Sequence, residues 1–167
     1  MGPMEMGMDL LRGDETPEEI IILSYGMEEG LGEFYRAIAK DTEDSEMANI
    51  LTELADIEES HKQKLFELYI TLDPSTENKK TFETKIVSKV MEGGFTTEEF
   101  LEKNRPAMQT VPNILNVAMM LETQALDLYS RYSQKIKHDQ GKTILYEIAD
   151  EEKAHLASLG KLMETRA

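Results

Sequence analysis

The sequence contains no cysteine and no tryptophan among its 167 residues. The absence of cysteine excludes disulfides, iron–sulfur clusters, thiolate zinc sites and cysteine nucleophiles, and is compatible with a reducing cytoplasm. No apolar run approaches the roughly 18 residues that a membrane span needs. Residues 1–12 also lack the basic and apolar regions of a signal peptide. We therefore expect a cytoplasmic protein that does not enter the membrane.

Positive charge is also scarce, because 18 Lys and Arg residues stand against 33 Asp and Glu residues, for a formal net charge of −15. Such a surface repels nucleic acid and anionic lipid, so neither is expected as a partner, but it attracts cations such as ferrous ion. Solubility alone explains most of the surface acids. The length and the 40% hydrophobic content suit one globular domain with a real core.

Helix signals divide the chain into four long segments. Thr16, Pro17 and Glu19 supply an N-cap, a first-turn proline and a capping-box glutamate. Asp73-Pro74 ends the second helix, and the turn from His138 to Gly141 separates the last two, with Gly141 available for a left-handed cap. The predicted helices run approximately over residues 17–40, 45–71, 112–137 and 142–163.

The segment between the second and third helices is a long crossover, residues 73–110. It is expected to carry two short helices, one over Phe82–Met91 and one that is capped within residues 96–99 and ends near Asn104. Residues 1–15 are Met-rich and predicted to be a flexible N-terminal segment, so the domain covers residues 16–167. Two helical hairpins joined by one long link predict an all-α fold, a four-helix bundle with ferritin-like connectivity.

An internal repeat relates the two hairpins. Residues 50–68 (ILTELADIEESHKQKLFEL) and 144–162 (ILYEIADEEKAHLASLGKL) are identical at nine of 19 positions, at an offset of 94. The same offset carries Glu28 to Glu122 and Tyr35 to Tyr129. We therefore expect the two hairpins to be related by an approximate two-fold axis.

One stripe at helical spacing runs along each long helix and is apolar except near its middle. Each stripe carries a glutamate there, and two of them add a histidine three residues later. The six residues are Glu28, Glu58, His61, Glu122, Glu152 and His155.

Four carboxylates facing one another inside a bundle would be unstable alone, since desolvation and mutual repulsion would force protons onto several of them. Two divalent cations would balance the four charges, and carboxylates with imidazoles suit iron or manganese. The sequence thus predicts a two-metal site that holds iron, with manganese as the alternative metal. The alternative is that the assumed helix phase is wrong and that these six residues lie on exposed faces. The third histidine, His138, is predicted to be a solvated turn residue.

Several further residues lie near this layer. Tyr35 and Tyr129 follow two turns after Glu28 and Glu122 and are candidate catalytic hydrogen-bond or proton donors, or ordinary core tyrosines. Asp56 and Asp150 precede two of the glutamates by two residues, so they either orient a ligand histidine or lie at helix or subunit contacts. The small residues Gly32 and Ala125 indicate either space for an oxidant or close helix packing.

At these motifs the chain resembles the rubrerythrin-like branch of the ferritin-like di-iron carboxylate superfamily. The stretch EEGLGEFY (residues 28–35) is similar to the family's first-helix motif, in which a Glu, here Glu28, lies seven residues before a Tyr, here Tyr35. The stretch ETQALDLY (residues 122–129) repeats this motif. The two Glu-x-x-His motifs match the second and fourth helices. The resemblance covers approximately residues 16–163. It implies that Glu58 and Glu152 bridge two metals, that Glu28 and His61 complete one, and that Glu122 and His155 complete the other.

The resemblance implies a di-iron oxidoreductase that reduces hydrogen peroxide or O₂ while Fe(II) is oxidised, and it makes a homodimer the expected assembly. Two features depart from rubrerythrin itself. The four-cysteine rubredoxin site is missing, so a separate electron donor such as a rubredoxin is required. Ala125 stands where rubrerythrin has an additional ligand glutamate, which puts the redox-linked metal movement and full peroxidase activity in doubt. The alternatives are a ferritin-type iron storage protein and a non-catalytic bundle stabilised by its metals.

Overall fold

The computed structural model describes residues 15–75, 78–83, 90–91 and 95–166, so the predicted N-terminal segment lies almost entirely outside the described residues. Its four long helices form two antiparallel hairpins that pack into a bundle, which confirms the predicted all-α, ferritin-like fold. The helices, in chain order, are α1 (Pro17–Asp41), α2 (Ser45–Leu72), α3 (Lys79–Glu83), α4 (Thr97–Asn104), α5 (Val111–Lys135) and α6 (Asp139–Arg166). A pair of two-residue antiparallel strands, β1 (Val90–Met91) and β2 (Phe95–Thr96), precedes α4, and a 3₁₀ turn (Arg105–Ala107) follows it.

Side-chain caps begin the long helices. The Thr16 hydroxyl accepts from the Glu19 amide at 3.2 Å, Asp44 Oδ1 accepts from the Met47 amide at 3.0 Å, and the Thr110 hydroxyl accepts from the Asn113 amide at 3.3 Å. Each cap satisfies one of the amides that a helix start leaves without a partner.

The start of α6 differs from the prediction. The helix begins at Asp139 because the His138 ring accepts from the Gly141 amide, with 3.0 Å between Nδ1 and N. His138 lies half-buried in the link between α5 and α6, outside the ligand layer, as expected for a turn residue, and it has the additional role of capping α6. Gly141 lies inside the helix and provides no left-handed cap. A Cβ there would meet Ile136 Cδ1 at 2.7 Å, so the absence of a side chain allows the close approach of that residue.

The crossover is anchored by α3, which presents Phe82 to an aromatic group on α1 and α2. The Phe82 ring centroid lies 4.9 Å from that of Tyr25, 5.4 Å from that of Phe66 and 4.7 Å from that of Tyr69. The helix starts earlier than predicted, because Asn78 caps it through the Thr81 amide at 2.8 Å. Val90–Met91 is a strand, so the helix predicted over Phe82–Met91 is wrong at that end, and residues 84–89 lie outside the described residues.

The four predicted stripes line the bundle interior. The stripe on α1 consists of Ile21, Ser24, Glu28, Leu31, Tyr35 and Ile38, and Ile38 at its end is partly buried. Every other residue of the four stripes is buried, including all six acids and histidines. The alternative helix phase, with these groups on exposed faces, is therefore wrong. Among the helices of the described residues, none carries an apolar stretch long enough to span a bilayer.

Candidate metal centre

The six predicted ligands come together at mid-height in the bundle, with a glutamate from each of the four long helices and a histidine from α2 and α6. None of the six is more than 3% exposed. The two imidazole rings stack with their centroids 5.8 Å apart and their planes inclined by 22°. The i, i+3 spacing on α2 and α6 turns each histidine toward the same centre as the glutamate before it.

Three carboxylates converge on the inner nitrogen of His61. Its Nδ1 lies 3.3 Å from Glu28 Oε2, 3.2 Å from Glu58 Oε2 and 3.1 Å from Glu152 Oε1. A single N–H cannot donate to three oxygens at once. One cation bound to this nitrogen and these oxygens would satisfy all four groups, and their atoms lie close enough together to hold one.

The inner nitrogen of His155 has the same arrangement, in which it faces the second oxygens of Glu58 and Glu152. Its Nδ1 lies 3.5 Å from Glu58 Oε1, 3.3 Å from Glu122 Oε2 and 3.3 Å from Glu152 Oε2. Glu58 and Glu152 therefore each turn one oxygen toward each histidine. The result is two ligand clusters that share two carboxylates.

The donor set fits a bound cation. Glu58 Oε1 and both carboxylate oxygens of Glu152 are buried and accept no hydrogen bond of good geometry from the described residues. A buried carboxylate oxygen without a donor or cation is costly to maintain. Hard oxygen donors combined with imidazole nitrogen match the preferences of iron and manganese.

In the absence of metal, protons take over part of this charge balance. Burial lowers the pKa of each histidine, but the facing carboxylates outweigh it and raise the pKa of His61 to about 11 and that of His155 to about 9. Burial together with the neighbouring Glu122 and Glu28 raises the pKa of Glu152 to about 8. Metal binding at neutral pH would displace these protons.

The two candidate tyrosines reach across the bundle to the ligand layer. The Tyr35 hydroxyl donates to Glu122 Oε1, and the Tyr129 hydroxyl donates to Glu28 Oε1. Burial and the adjacent carboxylates raise the pKa of both phenols well above the usual range, so both remain protonated donors. Each tyrosine thus hydrogen-bonds the glutamate of the other hairpin.

The outer nitrogen of His61 has a partner that the sequence analysis missed. His61 Nε2 lies 2.6 Å from Glu151 Oε2, and the other oxygen of Glu151 accepts from Lys64 Nζ at 2.7 Å. Asp56 and Asp150 do not have this role: at the surface, Asp56 pairs with Arg36 of the neighbouring helix α1, and Asp150 pairs with Lys153 of its own helix. The sequence contains one signal that could have identified this pair, because the repeat is broken at both positions: Glu151 and Lys64 have no counterparts of the same type 94 residues away.

The small residues beside the ligand layer differ in exposure. Ala125 is fully buried, whereas Gly32 is half-buried. A Cβ at Gly32 would lie 3.8 Å from Glu58 Cβ, which is ordinary contact, so a methyl group would fit there and the packing of α1 against α2 does not require glycine.

Comparisons with known proteins agree with this architecture. The sequence model of the rubrerythrin family matches residues 19–104 and 113–167. A solved structure, a hypothetical protein from Pyrococcus furiosus, superposes with a TM-score of 0.68 at 21% identity, over 92% of this chain and 91% of that chain. At that identity the likeness establishes the fold alone. A search of the curated proteins gave no match.

Proposed function

Because the chain belongs to the rubrerythrin family, we propose that it is a non-haem di-iron oxidoreductase that reduces hydrogen peroxide or O₂. An iron–manganese pair is compatible with the same donor set. The observation that carries the proposal is the pair of buried ligand clusters that share Glu58 and Glu152. A structural ion would need only one such cluster, whereas a two-electron reduction is suited to two neighbouring metals.

The glutamates and histidines would hold the two metals and fix their spacing. Glu58 and Glu152 would bridge, because each directs one oxygen to either side. Glu28 and His61 would complete one metal, and Glu122 and His155 the other. When bound, the metals supply the two electrons for the reduction of the oxidant.

The tyrosines would control the position of ligands and protons around the metals. Their hydroxyls donate to Glu28 and Glu122, so each limits the rotation of a terminal carboxylate. Their raised pKa values keep the phenol proton on oxygen at neutral pH. Both hydroxyls and the two carboxylates that accept from them are fully buried, which strengthens these hydrogen bonds.

The chain would receive electrons from a separate donor, because it has no cysteine with which to build a rubredoxin site. We propose a small redox protein such as a rubredoxin as that donor, with the oxidoreductase working as a cytoplasmic homodimer. The formal charge of −15 makes a donor with a basic contact surface the better match.

The first experiment is the metal content of protein purified without added metal, followed by an anaerobic Fe(II) titration and a pulse of hydrogen peroxide. We expect two irons per chain, rapidly oxidised by peroxide and reducible again. Glu122→Gln, which weakens one terminal ligand, should lower both the iron content and the rate. Asp127→Asn, on the exposed side of the same helix, is the matched control and should change neither.

Three other results would contradict the proposal. If the protein does not take up two Fe(II) per chain, it does not hold the proposed two-metal centre. Continued accumulation of oxidised iron far above two per chain, in a large hollow assembly, would indicate storage instead. Bound iron that does not react with peroxide or O₂ would leave only a bundle stabilised by its metals.

A further inference from the structure

The internal repeat allows the two outer sides of the candidate centre to be compared residue by residue. Each residue of the first hairpin corresponds to the residue 94 positions later. By this correspondence Glu151 matches Ile57, and Lys64 matches Ser158. The polar pair found behind one histidine is therefore replaced by an apolar and a small residue behind the other.

On the His61 side, an ion pair closes the bundle surface. Glu151 lies between the ring and Lys64, with Oε2 2.6 Å from His61 Nε2 and Oε1 2.7 Å from Lys64 Nζ. The side chains of Glu151 and Lys64 are 38% and 30% exposed, while that of His61 is fully buried. The ring is thus held between three inner carboxylates and one outer carboxylate.

On the His155 side, the surface is open. A groove of about 410 Å³ runs between α2 and α6 and reaches His155, with Ile57 and Ser158 among its walls. Within the part of the chain that the structure describes, His155 Nε2 is buried and has no hydrogen-bond partner. The residue is 3% exposed, so its ring is a polar group at the inner limit of the groove.

This difference bears directly on metal affinity. A neutral imidazole that binds a metal through Nδ1 carries its proton on Nε2, and an acceptor for that proton orients the ring and raises its basicity. Loss of such an outer partner typically weakens metal binding by about 10- to 100-fold. His61 has the acceptor, and it is held in place by Lys64. His155 has none among the described residues, and the groove gives solvent a route to its side of the centre.

We propose that the two metal positions are inequivalent: the one held by Glu28 and His61 retains its ion, whereas the one held by Glu122 and His155 exchanges its ion with solution through the groove. Glu151 is a positioning residue for His61, and Lys64 positions Glu151. The inference rests on the metal centre of the proposed function, but it does not depend on peroxide turnover.

The test is the release of Fe(II) from anaerobically loaded protein to an excess of ferrozine. Wild-type protein should release its two irons in two phases of equal amplitude, with rates about 10- to 100-fold apart. The double variant Glu151→Ile/Lys64→Ser gives the His61 side the residue types found on the His155 side, so the rate of the slow phase should approach that of the fast phase. Glu151→Gln keeps an acceptor oxygen for Nε2 and should preserve most of the separation.

The reverse variant, Ile57→Glu/Ser158→Lys, copies the closed side onto His155 and should slow the fast phase. Asp127→Ser/Arg131→Ser removes an exposed ion pair of α5 with the same change in charge and should alter neither phase. If the reverse variant does not fold, the Glu151→Ile/Lys64→Ser variant decides alone.

A single release phase in wild-type protein would overturn the inference, as would a slow phase unchanged in Glu151→Ile/Lys64→Ser. Protein that binds no Fe(II) would overturn both this inference and the proposed function. Two well-separated phases in protein that does not react with peroxide would support the inequivalence and remove only the proposed activity.

Discussion

The inside of the bundle obeys the internal repeat closely, whereas its outside does not. At the ligand layer, Tyr35 donates to Glu122 as Tyr129 donates to Glu28. His61 Nδ1 lies 3.3 Å from Glu28, and His155 Nδ1 lies 3.3 Å from Glu122. Outside the ligand layer the two sides differ, because an ion pair lies behind His61 and a groove lies at the equivalent position behind His155.

The difference indicates where each side chain has freedom to change. A buried carboxylate must be matched by a cation, a proton or a donor, so replacing one inner residue leaves several others unpaired. A residue on the outer side of a histidine faces water, and its replacement leaves fewer groups without a partner. Paired substitutions can therefore test whether the inner symmetry is functional and whether the outer asymmetry has consequences.

The largest effect is expected from the two shared glutamates. Glu58→Ala and Glu152→Ala should each abolish binding of both metals, because each removes oxygens that face both histidines. The measurement is metal content per chain after dialysis, with Glu67→Ala on the exposed face of α2 as the control. Two metals per chain in either variant would show that the bridging assignment is wrong.

The tyrosines provide the next test of the inner symmetry. Tyr35→Phe and Tyr129→Phe each leave a buried carboxylate oxygen without its donor, which typically costs about 1–3 kcal/mol. Urea unfolding of metal-free protein should give nearly equal losses for the two variants. Tyr146→Phe, at an exposed tyrosine of α6, should be close to neutral. Clearly unequal losses would indicate that the two halves of the inner layer are not energetically alike.

Alkaline pH should lower the folding stability of the metal-free protein more than that of the metal-loaded protein. Folding raises the pKa of His61 from 6.5 to about 11, that of His155 from 6.5 to about 9, and that of Glu152 from 4.5 to about 8. Groups with a raised pKa stabilise the fold below their unfolded pKa, and this contribution is lost as pH rises through the folded pKa. The contribution of Glu152 should thus be lost between about pH 4.5 and 8, and those of the two histidines from about pH 6.5 up to about 9 and 11, so the stability of metal-free protein should fall most steeply above about pH 6.5.

Bound metal replaces these protons, so loaded protein should show a much weaker fall over the same range. Urea midpoints at pH 6, 7.5 and 9, with and without metal, provide the measurement. Glu122 does not reverse the trend, because its pKa is lowered and its contribution changes only at acid pH. A metal-free protein that gains stability between pH 7.5 and 9 would contradict the proposed proton balance.

The inner layer could be predicted from sequence because helical spacing and the repeat both specify it. The stripe through Glu58 and His61 has one possible inward phase once its leucines are buried. The outer contacts were not predictable in the same way. Glu151 is adjacent to a predicted ligand, and its partner Lys64 lies on another helix, so their contact depends on how α2 and α6 pack. Asp150, one residue earlier, points to the surface instead, and spacing within one helix could not decide between the two.

Helix ends show the same limit. Asp44 and His138 occupy corresponding positions in the repeat, and each caps a helix through the amide three residues later. Aspartate is a recognised N-cap, whereas histidine is not among the preferred residues, so only the first was readable as a cap signal. Asp44 has a further role, because its carboxylate also pairs with Arg166 at the end of α6.

The smallest predicted effect compares these two caps. Asp44→Ala removes both the cap and the contact with Arg166, so it should lower Tm by more than His138→Ala, which removes only a cap. Asp44→Ser keeps a capping oxygen and should recover much of the loss. Thermal unfolding of the three variants at pH 7 is the measurement. Arg166 and the Asp44 hydrogen bond to Met47 hold the pKa of Asp44 at about 2, so this contribution should persist down to about pH 4 and disappear as pH falls toward 2. Equal losses for Asp44→Ala and His138→Ala would show that the ion pair between the hairpins adds nothing, and that the two helix starts are as alike in energy as they are in position.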